Sequence, residues 1–275
     1  MSVEILGELY DIDIEALDLR HKNISELPES IGKLVKLQHL DLRNNQLVIL
    51  PKSIGKLVML ERLVLDYNQL TSLPESFGEL GNLCSLSINN NRLNNLPESI
   101  SKLVKLENLF LTDNKLNLLP ESICKLIRLK KLYLGNNLLT TLPESFGRLL
   151  NLKELYLENN LLTTLPESIG ELLNLKELHL SQNQLNSLPN STLNIKESLL
   201  INITAYEINN LSPDTEFLIF SWLGKELTNL PTGLKEIWIR TEDNRLNHKL
   251  PFGCVIKYFL CLFILTNTIK IEKVI

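Results

Sequence analysis

The sequence predicts an α/β solenoid, and three observations carry that prediction. The first is repetition: Leu129–Asn151 reads LKKLYLGNNLLTTLPESFGRLLN, and Leu152–Asn174, the next 23 residues, reads LKELYLENNLLTTLPESIGELLN. Self-similarity at a fixed period of about 20–50 residues marks a stacked array whose units touch only their neighbours. The second is composition: hydrophobic residues make up 44% of the 275 residues but aromatics only 6%, so leucine fills a continuous core. The third is the change of pattern inside each unit. A short period-two stretch gives way to a Leu-Pro element, which places a strand on one side and a short helix or 3₁₀ turn on the other.

Residues 1–13 precede the first unit. An end repeat exposes an apolar face and needs a polar cap. Val3, Ile5, Leu6, Leu9 and Ile12 are expected to cover that face, with Glu4, Glu8, Asp11 and Asp13 outside. Eight units at a 23-residue spacing then occupy residues 14–189, starting at Ile14, Leu37, Leu60, Leu83, Leu106, Leu129, Leu152 and Leu175. Each opens with a strand. In the seventh, Leu155 and Leu157 face inward while Glu154, Tyr156 and Glu158 face out, and equivalent strands pair in parallel.

An asparagine column follows the strands at Asn45, Asn68, Asn91, Asn114, Asn137, Asn160 and Asn183. The chain turns sharply there, and a buried amide that both donates and accepts can satisfy the backbone along the stack. Lys22 stands at this position in the first unit, as suits an atypical terminal repeat. The Leu-Pro pairs recur every 23 residues from Pro28 to Pro189. Proline suits the first turn of a short helix, and the glutamate after it, as in Glu29 or Glu144, favours a helix N-terminus. The repetition of that glutamate reads as a solvated face.

After Pro189 the pattern weakens. The inward pairs continue as Ile201/Ile203, Leu218/Phe220, Ile237/Ile239 and Ile256/Tyr258. Residues 190–258 therefore read as divergent, shorter repeats continuing the same sheet, with a separate C-terminal domain as the alternative. The tail, Phe259–Ile275, holds an apolar run far shorter than the ~20 residues a membrane span needs. It reads as a last strand or cap.

The stretch Leu27–Leu47, LPESIGKLVKLQHLDLRNNQL, carries the pattern LxxLxLxxNxL of the leucine-rich repeat. The predicted architecture is thus a leucine-rich-repeat horseshoe, with a concave parallel β-sheet and short helices or 3₁₀ turns on the convex side. Over about residues 14–189 the chain resembles the Ras-group-related intracellular leucine-rich-repeat proteins. That resemblance implies a signalling scaffold, working around small GTPases or phosphatases. The segments LPTGLKEIWI (Leu230–Ile239) and NHKLPFGCVI (Asn247–Ile256) resemble the shorter repeats of amoebal and amoeba-virus proteins, although the Phe-Asn-Ile-Pro tetrapeptide of those repeats is absent.

In such a fold only the outward strand residues vary freely enough to choose a partner. One column reads Asp18, Asp41, Val64, Ser87, Phe110, Tyr133, Tyr156 and His179, and continues as Asn202, Ile219, Trp238 and Lys257. With strands ~4.8 Å apart, Phe110, Tyr133, Tyr156 and His179 should form a contiguous stripe. The flanking columns contribute Arg20, Arg43, Asp66 and Glu158 on one side and Arg62 and Lys131 on the other. Exposed aromatics inside a polar rim have the composition of interface hot spots. The competing explanation is that cross-strand aromatic pairs simply stabilise a sheet.

The net charge of −4 argues against a phosphate-backbone binder, which needs clustered basic residues. The four cysteines, Cys84, Cys124, Cys254 and Cys261, fit no disulfide framework and read as reduced thiols of an intracellular protein. The N-terminus lacks the basic and apolar regions of a signal peptide. His21, His39, His179 and His248 have no metal-ligand spacing. No glycine-rich phosphate loop or nucleophile elbow is present. The sequence therefore points to a non-catalytic scaffold for a protein partner, with no cofactor, metal, nucleic acid, membrane span or small-molecule substrate. A substrate-recognition adaptor for ubiquitin ligation is a further alternative, but residues 1–13 are too short for an F-box-like motif.

Overall fold

The computed structural model describes residues 2–185, Pro189, Ser191 and the strand segments 200–202, 217–220, 236–239 and 255–258. Strands β1 (Ser2–Ile5) and β2 (Glu8–Asp11) form an antiparallel hairpin. A second sheet is parallel throughout. Its strands are β3 (Ala16–Asp18), β4 (His39–Asp41), β5 (Arg62–Val64), β6 (Ser85–Ser87), β7 (Asn108–Phe110), β8 (Lys131–Tyr133), β9 (Glu154–Tyr156), β10 (Glu177–His179), β11 (Leu200–Asn202), β12 (Phe217–Phe220), β13 (Glu236–Ile239) and β14 (Val255–Tyr258). They pair in strict sequence order from β3 to β14. Leu178, Ile201, Leu218, Ile237 and Ile256 share one register position across β10–β14.

The opposite side carries seven 3₁₀ helices between Glu29 and Glu171, from Glu29–Lys33 to Glu167–Glu171. Between the layers runs one leucine core. Leu34 of the first unit, Leu37, Leu40, Leu42 and Leu47 of the second, and their equivalents onward, are almost wholly buried. Phe77 and Phe146 take the place of isoleucine at the helix position and are fully buried.

Three local expectations change. Proline does not enter the helix: Pro28, Pro51 and their equivalents sit just before it in extended backbone, with φ −71° and −65° at the first two. The Pro28 carbonyl accepts the first 3₁₀ bond, from the Ile31 N–H at 3.1 Å. In three units the glutamate after proline is more than a solvated side chain, because Glu29, Glu121 and Glu167 accept backbone N–H groups from the start of the next unit's helical segment. Glu29 accepts from the Lys52 and Ser53 N–H groups at 3.2 and 2.9 Å, and Glu121 from the Glu144 N–H at 3.1 Å. In the N-terminal hairpin Val3 and Ile5 are buried and Tyr10 and Ile12 pack on the core, but Leu6 and Leu9 are 45% and 74% exposed. Leu6 sits at the hairpin turn with φ +55°, and the alternation of a strand turns Leu9 away from the core face that Tyr10 takes.

The asparagine column forms a hydrogen-bonded ladder. Asn114 Oδ1 accepts from the Leu93 N–H at 3.0 Å, and its Nδ2 donates to the Ile88 and Leu111 carbonyls at 2.8 and 3.1 Å. Asn45 extends the ladder into the first unit, accepting from the Lys22 and Ile24 N–H groups. The residue before each asparagine adopts left-handed backbone, with φ +54° at Asn44 and +56° at Asp113. Asn and Asp tolerate that conformation better than most residues. The tail Phe259–Ile275, the Leu230-Pro231 and Leu250-Pro251 pairs, and Cys254 and Cys261 lie outside the described residues.

Candidate functional site

The sheet face is built by the short strands alone, because one central inward leucine in each strand leaves its two neighbours pointing out. Register places Phe110, Tyr133, Tyr156 and His179 on four successive strands. The rings make a continuous ladder. Phe110 meets Tyr133 edge-on at 4.9 Å, Tyr133 stacks on Tyr156 at 4.2 Å, and Tyr156 lies 4.0 Å from the His179 imidazole.

This ladder is more enclosed than a row of exposed aromatics. Each of the four side chains is half-buried, because each ring covers the next. The phenols are also engaged: Tyr133 donates to Glu154, and Tyr156 donates to Glu177 at 2.6 Å. Burial pushes both phenol pKa values up, and the carboxylate neighbours add to the effect. Burial also works against ionisation of Glu154, but the Lys131 ammonium at 2.8 Å and the Tyr133 hydroxyl outweigh it and hold the carboxyl below its usual range. His179 is held below the usual histidine value by burial, opposed by Glu177 at 3.7 Å. Around neutral pH the patch therefore presents neutral ring edges and hydroxyls, rimmed by Glu154, Glu177 and Lys131.

The remaining residues of the candidate surface fall into a different group. Arg20 forks onto Asp18, with its closest contact at 2.7 Å, and also lies 3.7 Å from Asp41. Arg43 forks onto Asp41 at 2.6 Å. The Arg20 guanidinium holds the Asp18 carboxyl down at about 2. Arg62 is exposed and borders the same shallow depression, beside His39 and Val64. Asp66 is consumed internally, accepting from the Ser87 hydroxyl at 2.6 Å and the Asn89 N–H at 2.7 Å. Glu158 lies over Gly135, where an added Cβ would strike its carboxylate. The structure thus brings Phe110, Tyr133, Tyr156, His179 and Lys131 together, and separately Arg20, Arg43 and Arg62, four, three and two units before Phe110.

Tyr67 escaped the sequence reading. It is 56% exposed and takes φ +56° in a column otherwise held by His21 and by Asn, Asp and Gln residues. A bulky residue there is an outlier, and its departure from the column was the available signal. Among the described residues no group of three His, Cys, Asp or Glu side chains could hold a metal ion, and no helix is long and apolar enough to cross a membrane. Cys84 and Cys124 are free thiols.

Family models agree with this geometry. A leucine-rich repeat region model matches residues 2–91, and leucine-rich repeat models match residues 105–126 and 127–185. The chain is a leucine-rich-repeat protein. Among solved structures, a leucine-rich-repeat protein of Leptospira interrogans superposes with a TM-score of 0.68 at 27% identity, covering 90% of this chain and 78% of that one. The leucine-rich repeat domain of the type III effector XopL superposes with a TM-score of 0.59 at 29% identity, covering 68% of this chain and 75% of that one. No curated protein matches the chain by sequence. Leucine-rich-repeat domains generally mediate protein–protein interaction and are typically non-catalytic scaffolds.

Proposed function

We propose that this leucine-rich-repeat protein is a non-catalytic scaffold that binds a protein partner on its concave sheet face, centred on Phe110, Tyr133, Tyr156 and His179. The observation that supports this most is the ladder of four rings on successive strands, at centroid spacings of 4.0–4.9 Å. Sheet stabilisation alone accounts for adjacent pairs, at ~0.2–1 kcal/mol each. It does not require four consecutive rings with a charged rim and, among the described residues, no covering element. Rigid aromatics held by their neighbours have little side-chain entropy left to lose on binding, which is what an interface anchor needs. The paired ends of Arg20 and Arg43, and exposed Arg62, would set orientation and association rate more than affinity.

Affinity capture from a cell extract tests the reading, with wild type beside the Phe110→Ala/Tyr133→Ala/Tyr156→Ala variant. A bound protein should be lost by at least ~tenfold with the variant, as removal of hot-spot anchors implies. Circular dichroism confirms that the variant is folded. Capture of the same proteins in equal amount by both would place recognition elsewhere.

A further inference from the structure

A second surface lies on the flank where each 3₁₀ helix turns back into the following strand. The first residue of that turn is an exposed aliphatic in six of the seven described units. These residues are Val35, Val58, Val104, Ile127, Leu150 and Leu173, between 47% and 57% exposed; Gly81 stands in the other unit. The turns stack in register. Asn82, Asn151 and Asn174 each donate from Nδ2 to the turn carbonyl of the preceding unit, at Val58, Ile127 and Leu150, all at 2.7 Å. The aliphatic side chains therefore form two runs, Val35 with Val58 and the four-unit run Val104, Ile127, Leu150 and Leu173, separated at Gly81. Scattered single apolar residues on a surface need no explanation, whereas a contiguous run does.

Cations border these runs. The last helical residue of each unit is Lys33, Lys56, Lys102, Lys125 or Arg148, with Glu79 and Glu171 as the exceptions. The second turn residue is Lys36, Lys105 or Arg128 in three units. Lys36 and Lys102 pair with Asp13 and Glu79. Lys33, Lys56, Lys125, Arg128 and Arg148 have no ion-pair partner among the described residues. These two columns thus carry eight cations against Glu79 and Glu171, on a chain whose net charge is −4, while Glu29, Glu75, Glu98, Glu121 and Glu167 stand at the far end of the same helices.

We infer that this flank docks on an anionic lipid bilayer, its aliphatic runs entering the headgroup region while the Lys and Arg side chains contact acidic headgroups. The residue types favour lipid over protein. Protein interfaces are enriched in aromatics and depleted in lysine, whereas these runs have no aromatic and their cations are mostly lysine. Shallow apolar insertion combined with basic contacts is how a surface-bound protein holds to an anionic leaflet. The flank leaves the sheet face open, so the inference stands independently of the proposed protein partner.

Co-sedimentation of the full chain tests it, using phosphatidylcholine vesicles with and without about 30 mol% phosphatidylserine. The protein should sediment with the anionic vesicles and not with the neutral ones. Raising salt from about 0.1 M to about 1 M shortens the screening length from about 10 Å to about 3 Å and should weaken binding more than tenfold. Lys125→Glu/Arg128→Glu/Arg148→Glu should lose at least ~tenfold, and Val104→Ser/Ile127→Ser/Leu150→Ser several-fold. The salt titration needs no variant, so a variant that misfolds does not decide the matter. No sedimentation with anionic vesicles, equal sedimentation with neutral ones, or undiminished binding by both folded variants would overturn the inference.

Discussion

Glu158 shows how one residue carries a local cost inside a regular array. Its carboxylate lies over Gly135, and its Oε2 is buried without a hydrogen-bond partner. Burial raises its pKa, with a further push from Asp113. A carboxyl whose folded pKa is raised binds its proton more tightly in the native state. Its unfavourable contribution is then absent below the unfolded value and grows as pH rises through the folded one. Glu158→Gln removes the buried charge, so it should stabilise the protein above that range and leave it unchanged near pH 4. Thermal unfolding of wild type and variant at pH 4 and pH 8 checks this, and equal midpoints at both pH values would contradict it. The column holding Glu158 was readable from sequence, but its fold-over onto Gly135 was not. Outward position along a strand fixes which face a side chain leaves from, not whether a glycine in the adjacent unit invites it down. The same gap explains the aromatic stripe: its membership followed from the period, but the phenol bonds to Glu154 and Glu177 that half-enclose it depend on rotamers.

At the scale of the element, the turn after each strand is held by an asparagine from the next unit. Each amide joins three backbone groups belonging to adjoining units, as Asn114 does with Leu93, Ile88 and Leu111. Asn114→Ala would leave those buried groups without their partner. It should cost about 2–4 kcal/mol, since each unsatisfied buried group costs about 1–3 kcal/mol. Because stability in a stacked array is carried by neighbouring interfaces, urea unfolding of the variant should also become less cooperative. A change below about 1 kcal/mol would show that water replaces the amide. This ladder was legible because the need for a donor and acceptor at a sharp buried turn is a backbone requirement. The helix-side details were less so. Proline's fixed φ suits either the first helical residue or the one before it, and the structure takes the second because extended backbone at Pro28 carries the chain away from buried Leu27. The capping role of Glu29 links residues 23 and 24 apart, to Lys52 and Ser53, and a pattern read within one helix does not reveal it.

At the scale of the molecule, parallel pairing from β3 to β14 makes one continuous sheet face, with 3₁₀ helices opposite and a leucine core between. The core positions are set by the stack and say nothing of a partner. Information about recognition is confined to the surface columns, of which the sheet-face ladder is the one proposed here as the protein site. A photo-crosslinking residue can test that assignment directly. Benzoylphenylalanine in place of Phe110 puts the probe at the end of the ring ladder, and the same residue in place of Lys52 puts it on the exposed helical face. Irradiation in a cell extract is expected to give a discrete crosslinked protein from position 110 and none from position 52, with the product competed away by unlabelled wild type. A product from position 52 alone, or equal products from both, would contradict recognition by the concave face.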